Sequence, residues 1–529
     1  MRRFLCLLAV SLPFCANADE IRQAFTQNQQ QLNQWQQQNQ QRWLQQHAFE
    51  SPQFATVNEN FAQQCLPYAQ LKLRGVSLIE AAPFLPKVGE CLNEIRLNQL
   101  REQITQAYLK KGFVHNPMQF EDDQSGTLWL HVFEGKIATQ TNDFHLPLAQ
   151  IFSGSLGQPL KIADLDQALD QANQVIGNQV SVDVLPAKNG EIALIWQNQP
   201  SSRISGGLSV DNLATKSYRR WQTRANFALG NPFNFADMLY VSASHTLHSA
   251  QKFNRSALLY YQIPYRYWTF SSWLSFAQFQ TKLPLQSTTL TQQGKTWQGA
   301  LNADYVVARG ANFVSHLSSQ LEQIRSQNQL ENEILWLQSP RLMSASLAWN
   351  HLQLLENGFG QIQGRIERGK NSAPHQAAPH FSRVTLEAQW QHQHQFLAQN
   401  WRISHQLSAQ YSRDLLPAIK QADLTGRFQV RGLNDFSQSA EKSAVLQTNL
   451  AWLKSTKWGE FSPYFGVDVG VQRANATNSP SEKATAYALG AKWQHRHFQT
   501  TIEWAKGRFW SAEQTRKAAF WLVDWRWTF

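Results

Sequence analysis

The chain has 529 residues, a formal net charge of +11, and 20 Trp and 31 Phe against only 4 Cys and 4 Met; its mean hydropathy of -0.45 excludes a polytopic helical membrane protein. A transmembrane barrel is not excluded, because its strands alternate apolar and polar residues and so look soluble on average, and the aromatic content suits the girdles of membrane interfaces. The Lys and Arg are scattered along strand-like segments and do not form one stripe, so the charge reads as a pore lining and not as a nucleic-acid surface.

At the start, Arg2 and Arg3 precede an apolar run over residues 4–14 that is too short to span a bilayer, and Ala16-Asn17-Ala18 offers small residues for cleavage before Asp19. Residues 1–18 therefore read as a secretory signal peptide. Residues 19–48 are dominated by Gln and lack Gly and Pro, which predicts a polar helix, with low-complexity disorder as the alternative. A tether over 49–64 follows. Cys6 and Cys15 leave with the signal, and the remaining pair, Cys65 and Cys91, suggests a disulfide in an oxidising compartment.

Two similar α+β modules come next, over 65–137 and 138–200. In the first, the residues from Leu71 to Val76 read as a strand, and Leu97, Leu100, Ile104, Ala107 and Tyr108 are spaced as one helical face that Gly112 stops. Residues 113–120 and 127–137 read as a strand pair. The second repeats the plan, with a helical stripe of Ile162, Leu165, Leu169, Ala172 and Ile176. Its strands over 180–184 and 192–196 flank Asn189-Gly190, a strong hairpin signal. Neither module contains a recognisable catalytic constellation.

Over 201–529 the texture becomes strand-like throughout. In the last segment Trp521, Val523, Trp525, Trp527 and Phe529 share one face, and Leu522, Asp524, Arg526 and Thr528 the other. At about 20 residues per strand and connection this length gives about 16 antiparallel strands. They must close, since hydrocarbon tolerates no open edge, and a barrel this wide encloses an aqueous channel. Counting back from Phe529 makes the stretch over about 413–442 the longest extracellular connection, with Arg431 in its middle. In the strand from Gly459 to Arg473, the residues Phe465, Val467, Val469 and Val471 share a face, so Asp468 points into the lumen between Gly466 and Gly470. The pairs His392/His394 and His495/His497 fall near the opposite turns without an acidic or Cys partner, and the glycines from Gly358 to Gly364 open a strand, so neither a metal site nor a phosphate cradle is expected.

Taken in order, several motifs resemble one family. They are Cys65-Leu66-Pro67, Gly89-Glu90-Cys91-Leu92, Tyr108-Leu109-Lys110-Lys111-Gly112-Phe113 and Phe133-Glu134-Gly135-Lys136-Ile137, then Val430-Arg431-Gly432-Leu433, and Phe465-Gly466-Val467-Asp468-Val469-Gly470. Together with the signal, the polar helix and the terminal Phe, they resemble the TpsB transporters of two-partner secretion, over essentially the whole mature chain. The resemblance implies an outer-membrane barrel with two periplasmic POTRA modules, no cofactor and no enzymatic activity. It also implies a large TpsA-type exoprotein of the haemolysin, adhesin or toxin class as partner, beside outer-membrane lipid, lipopolysaccharide and, during biogenesis, the barrel-assembly machinery. By the same resemblance residues 19–48 are a pore plug, Trp527 and Phe529 belong to a C-terminal insertion signal, and the long loop folds inward with Arg431 held bidentately by Asp468. Leu433 stands where the family has Tyr, which puts any gating role of that hydroxyl in doubt. A barrel-assembly insertase and a passive porin or receptor are the rival readings.

Overall fold

The structure is a computed structural model that describes Leu32, Asn33, Trp35, Gln36, Gln37 and Gln40, and then Gln64 to Phe529 except 143–145, 248–250, 285–287, 376–378, 437 and 477–478. The expected signal peptide and all but the last residue of the expected tether lie outside the described residues.

In the first module one helix, Glu94–Lys110, covers a three-stranded sheet in which Thr127–Val132 lies between Gln70–Arg74 and Met118–Asp122. The helix starts where the Asn93 side chain accepts the Arg96 backbone N–H, an N-cap that satisfies a donor the helix itself cannot. Its stripe of Leu97, Leu100, Ile104 and Tyr108 packs on Leu71, Leu128 and Leu130 of the sheet. A Cys65–Cys91 disulfide closes the loop that precedes the helix.

The second module repeats this with helix Ile162–Gln174 on a sheet ordered Ile137–Asn142, Ile192–Asn198, Val180–Pro186. Leu165, Ala168 and Ala172 bury against Ile192, Leu194 and Trp196. One sequence expectation shifts here. The strand read over 127–137 ends at Val132, and Ile137 opens the second sheet by pairing with Ile192. The break falls at Gly135, where a Cβ would lie 2.4 Å from the His115 carbonyl oxygen; apolar alternation simply runs on through this crossing. The Asn189-Gly190 hairpin forms with both residues left-handed, at φ +57° and +72°, and with the Glu191 N–H donating to the Lys188 carbonyl at 3.1 Å.

The rest closes into a barrel of 16 long antiparallel strands, in which Thr515–Thr528 pairs with Ile204–Asp211. The two-residue strand Glu333–Ile334 is an addition on one connection. The alternation read from sequence holds: in Gly459–Arg473, Phe465, Val467, Val469 and Val471 are exposed outward while Asp468 and Gln472 are buried inward. Outward-facing Trp268, Tyr305, Trp349, Trp390, Trp493 and Trp525 ring the end facing the modules, as amphipathic rings do at a membrane interface. His392 and His394 face outward in the same belt, with His392 stacked on Trp390.

Candidate functional site

The barrel is not an open tube. The connection between strands Gln399–Tyr411 and Lys442–Thr456 turns into the lumen as a hairpin. Ala422–Asp423 pairs with Ser439–Ala440 near the rim, and the chain between them descends along the inner wall. Its turn needs a left-handed residue, and Gly432 supplies it at φ +78°. A Cβ there would come within 2.6 Å of the Gly507 backbone nitrogen on the wall.

The hairpin is fastened at Arg431, which is 5 % exposed, while Asp468 is 0 % exposed. Arg431 donates from Nε to Asp468 Oδ2 at 2.8 Å and from Nη2 to Oδ1 at 2.6 Å, and its backbone N–H reaches Oδ2 at 3.0 Å. The planar fork thus matches the carboxylate geometry. Its remaining Nη1 donates to Glu503 Oε2 at 3.0 Å, and that same oxygen accepts the Tyr464 hydroxyl at 2.8 Å. Glu503 was not singled out from the sequence. The signal was present, since Ile502 and Trp504 alternate with Thr501, Glu503 and Ala505, placing the carboxylate inward two strands from Asp468.

Small wall residues make this approach possible. A Cβ at Gly466 would lie 2.3 Å from Arg431 Nη2, and one at Gly470 would lie 2.9 Å from Val430 Cγ2. At Gly507 it would lie 2.6 Å from Leu433 Cγ. Leu433 is fully buried with Val430, Leu424, Val445, Ala484, Ala486 and Phe509. In this chain the position therefore works by apolar packing, which needs no hydroxyl. Phe465, expected beside the motif, faces outward.

A second body shares the lumen. The described residues between Leu32 and Gln40 are helical. Leu32 and Trp35 are buried with Tyr240, Leu258, Tyr260, Trp273 and Ala300, all inward-facing wall residues in the half nearer the modules. The Trp35 ring stacks on Tyr240 at 4.6 Å between centroids, and Gln40 Nε2 donates to Gln361 Oε1 across the lumen at 2.8 Å. The expected helix thus lies inside the barrel along its described residues.

The second module is tied to the rim at this same end. Helix Ile162–Gln174 turns its polar side to the barrel: Asp170 pairs with Arg309, Asp164 Oδ1 accepts the Tyr267 hydroxyl at 2.7 Å, and Gln171 Nε2 donates to the Trp268 carbonyl at 3.2 Å. Gln150 Nε2 adds bonds to the Phe235 and Pro264 carbonyls at 2.8 and 2.7 Å. At the seam, Phe529 exchanges backbone hydrogen bonds of 3.0 Å with Gly206, and its ring lies 5.1 Å from that of Trp527.

Comparison with known proteins agrees with this architecture. Residues 190–493 match the family described as haemolysin secretion/activation protein ShlB/FhaC/HecB, residues 66–135 match a ShlB-type POTRA domain, and 136–186 match a POTRA domain. The chain is 32% identical to the haemolysin transporter protein ShlB of Serratia marcescens, over 84% of this chain and 82% of that one. It is 29% identical to the haemolysin transporter protein HpmB of Proteus mirabilis, over 92% and 90%. The solved structure of CdiB from Escherichia coli superposes with a TM-score of 0.83 at 20% identity, covering 98% of this chain and 99% of that one, and so shares the fold. A closed barrel with its own loop folded into the lumen, two POTRA modules and relatives of this kind make the chain a member of the ShlB/FhaC/HecB family, the TpsB outer-membrane transporters, whose POTRA modules lie in the periplasm.

Proposed function

We propose that the chain translocates one large exoprotein of the haemolysin, adhesin or contact-dependent toxin class across the outer membrane, in an unfolded state and without ATP. The observation that carries this reading is a lumen filled by two separable bodies, a helix and a hairpin, each held by side chains and neither part of the wall. A passive porin needs a permanent passage; a conduit for an extended chain needs a stopper that can leave.

The exoprotein would enter through the modules. Each sheet has edge strands without a strand neighbour on one side among the described residues, Gln70–Arg74 and Met118–Asp122 in the first, Ile137–Asn142 and Val180–Pro186 in the second. An extended segment can add to such an edge through backbone hydrogen bonds, with side-chain pockets selecting the sequence. Folding of the cargo outside then supplies direction. The outward aromatic faces would meet lipid and lipopolysaccharide, and the terminal Trp527 and Phe529 would be read by the barrel-assembly machinery.

The test is co-expression of the chain with the neighbouring large reading frame, scoring release of its product into the medium. We expect release with the native chain, and at least about a tenfold loss with Arg431→Ala at normal barrel abundance, because removing one partner of a buried pair costs about 3–5 kcal/mol and leaves Asp468 unpaired. Undiminished export by that variant removes the Arg431 contact from the mechanism, and no release with the native chain overturns the translocator reading.

A further inference from the structure

We propose that Lys420 is a second anchor of the inward loop, so that the lumen is closed by a staple fixed on two opposite arcs of the wall and not by the Arg431 contact alone. Lys420 is 3 % exposed and lies in the first part of the loop, at the end of the 3-10 turn Ala418–Lys420. Its Nζ pairs with Glu322 on strand Phe313–Leu330 and donates to Glu367 on strand Gly358–Asn371 at 2.7 Å. Glu367 is also bound by Arg383 Nε at 2.6 Å.

The backbone is gripped as well. The Lys420 carbonyl is left unsatisfied at the end of its turn, and it accepts Arg383 Nη1 at 2.9 Å and Gln410 Nε2 at 3.0 Å, both from the wall. Beside it, Leu416 and Ile419 bury with Phe279, Ile324, Leu342 and Phe381. None of these wall residues belongs to the strands that hold Arg431, whose partners sit on Gly459–Arg473 and Phe498–Trp510. The loop therefore binds each side of the cylinder through its own buried cation.

The geometry has a chemical consequence. Lys420 and Arg383 together balance two carboxylates, so the site is electrically closed only while the loop is home. When the loop lifts, Glu322 loses its cation and Glu367 keeps Arg383. Release of one anchor leaves the loop tethered by the other, which makes opening a sequence of two steps and gives the loop a fixed point from which to return. Lys420 is a positioning residue here, acting on the loop and touching no cargo.

The inference rests on the loop as the stopper of the pore, and its test reads closure apart from export. Purified full-length protein in planar bilayers gives the open fraction directly. Lys420→Met should raise it at least about tenfold, Lys420→Arg should stay near the native value, and Lys420→Met with Glu322→Gln should return most of the way, because the orphaned carboxylate is gone. Should Lys420→Met fail to insert, as read by its heat-modifiable band, Glu322→Gln alone serves and should raise the open fraction severalfold. A native open fraction in correctly inserted Lys420→Met, or in Glu322→Gln where that variant stands in, overturns the second anchor. Absence of export by the native chain, with the open fraction still raised in Lys420→Met, would count against the transport reading and leave the staple intact.

Discussion

A buried charge is a commitment, and the two fates of carboxylates in this chain show it. Asp468 takes three donors from one residue, whereas Glu503 takes one from Arg431 and one from Tyr464. The Arg431 site therefore ranks its partners, and the wider loss should follow loss of Asp468. In the first module Glu134 shows the same physics outside the barrel. Its carboxylate accepts the backbone N–H groups of Ser77 and Leu78 at 2.6 and 2.7 Å, the Ser77 hydroxyl at 2.5 Å and the Tyr108 hydroxyl at 2.9 Å. Partial burial pushes its pKa up, but the four donors together outweigh it and hold the group below the usual carboxylate range, while burial and the adjacent carboxylate push the Tyr108 phenol up. A carboxyl whose pKa is depressed on folding stabilises the fold fully above its unfolded value, near pH 4.3 for Glu, and that contribution is lost as pH falls through the folded value. Glu134→Gln should therefore lower the module's stability by about 1–2 kcal/mol at pH 7. The gap between variant and native thermal melts should shrink as pH falls below the unfolded value, and an equal gap at pH 7 and pH 3 would mean that the charge of Glu134 is not what stabilises the loop over 77–78.

At the scale of elements, periodicity made much of the fold legible. The stripe at Leu97, Leu100, Ile104 and Tyr108 is the face that the first helix buries, and strand Gly459–Arg473 has the bounds and the facing that alternation gives. Alternation works here because lipid on one side and water on the other impose opposite demands at each successive residue. It fails where one pattern continues across two bodies, as from Val132 through Gly135 into Ile137, because nothing in a run of apolar residues marks a change of sheet. It also cannot say what a polar face is for. The second helix reads as one apolar stripe against a solvated side, yet Gln167, Asp170 and Gln171 on that side are buried against the barrel rim. Glu503 and Lys420 were missed for a related reason: each looks like an ordinary charged residue until a chain segment from elsewhere is laid against it. The pairing of Arg431 with Asp468 was legible only because a family resemblance joined two motifs that are 37 residues apart.

For the molecule as a whole, the two bodies in the lumen are stacked along its axis. The hairpin tip is tied to Asp468, midway along its strand, while the helix lies nearer the modules against Tyr240, Tyr260 and Trp273. The described helix is fastened differently from the loop. It has stacked and edge-on aromatic contacts and a neutral amide pair, Gln40 with Gln361, in place of buried ions. Neutral hydrogen bonds contribute about 1 kcal/mol each, against several for a buried ion pair left half-made. Over its described residues the helix is therefore the more weakly held body, and in the proposed transport cycle we expect it to leave first. Cysteines placed at Gln40 and Gln361 and joined by a bis-maleimide would hold it in place while leaving both loop anchors untouched. Export should then fall at least about tenfold relative to the two single-cysteine controls treated with the same reagent, since each 1.4 kcal/mol withheld from opening is a factor of ten. Export at the control level by the cross-linked protein would show that cargo passes beside the helix, and the hairpin would then be the sole body that must move.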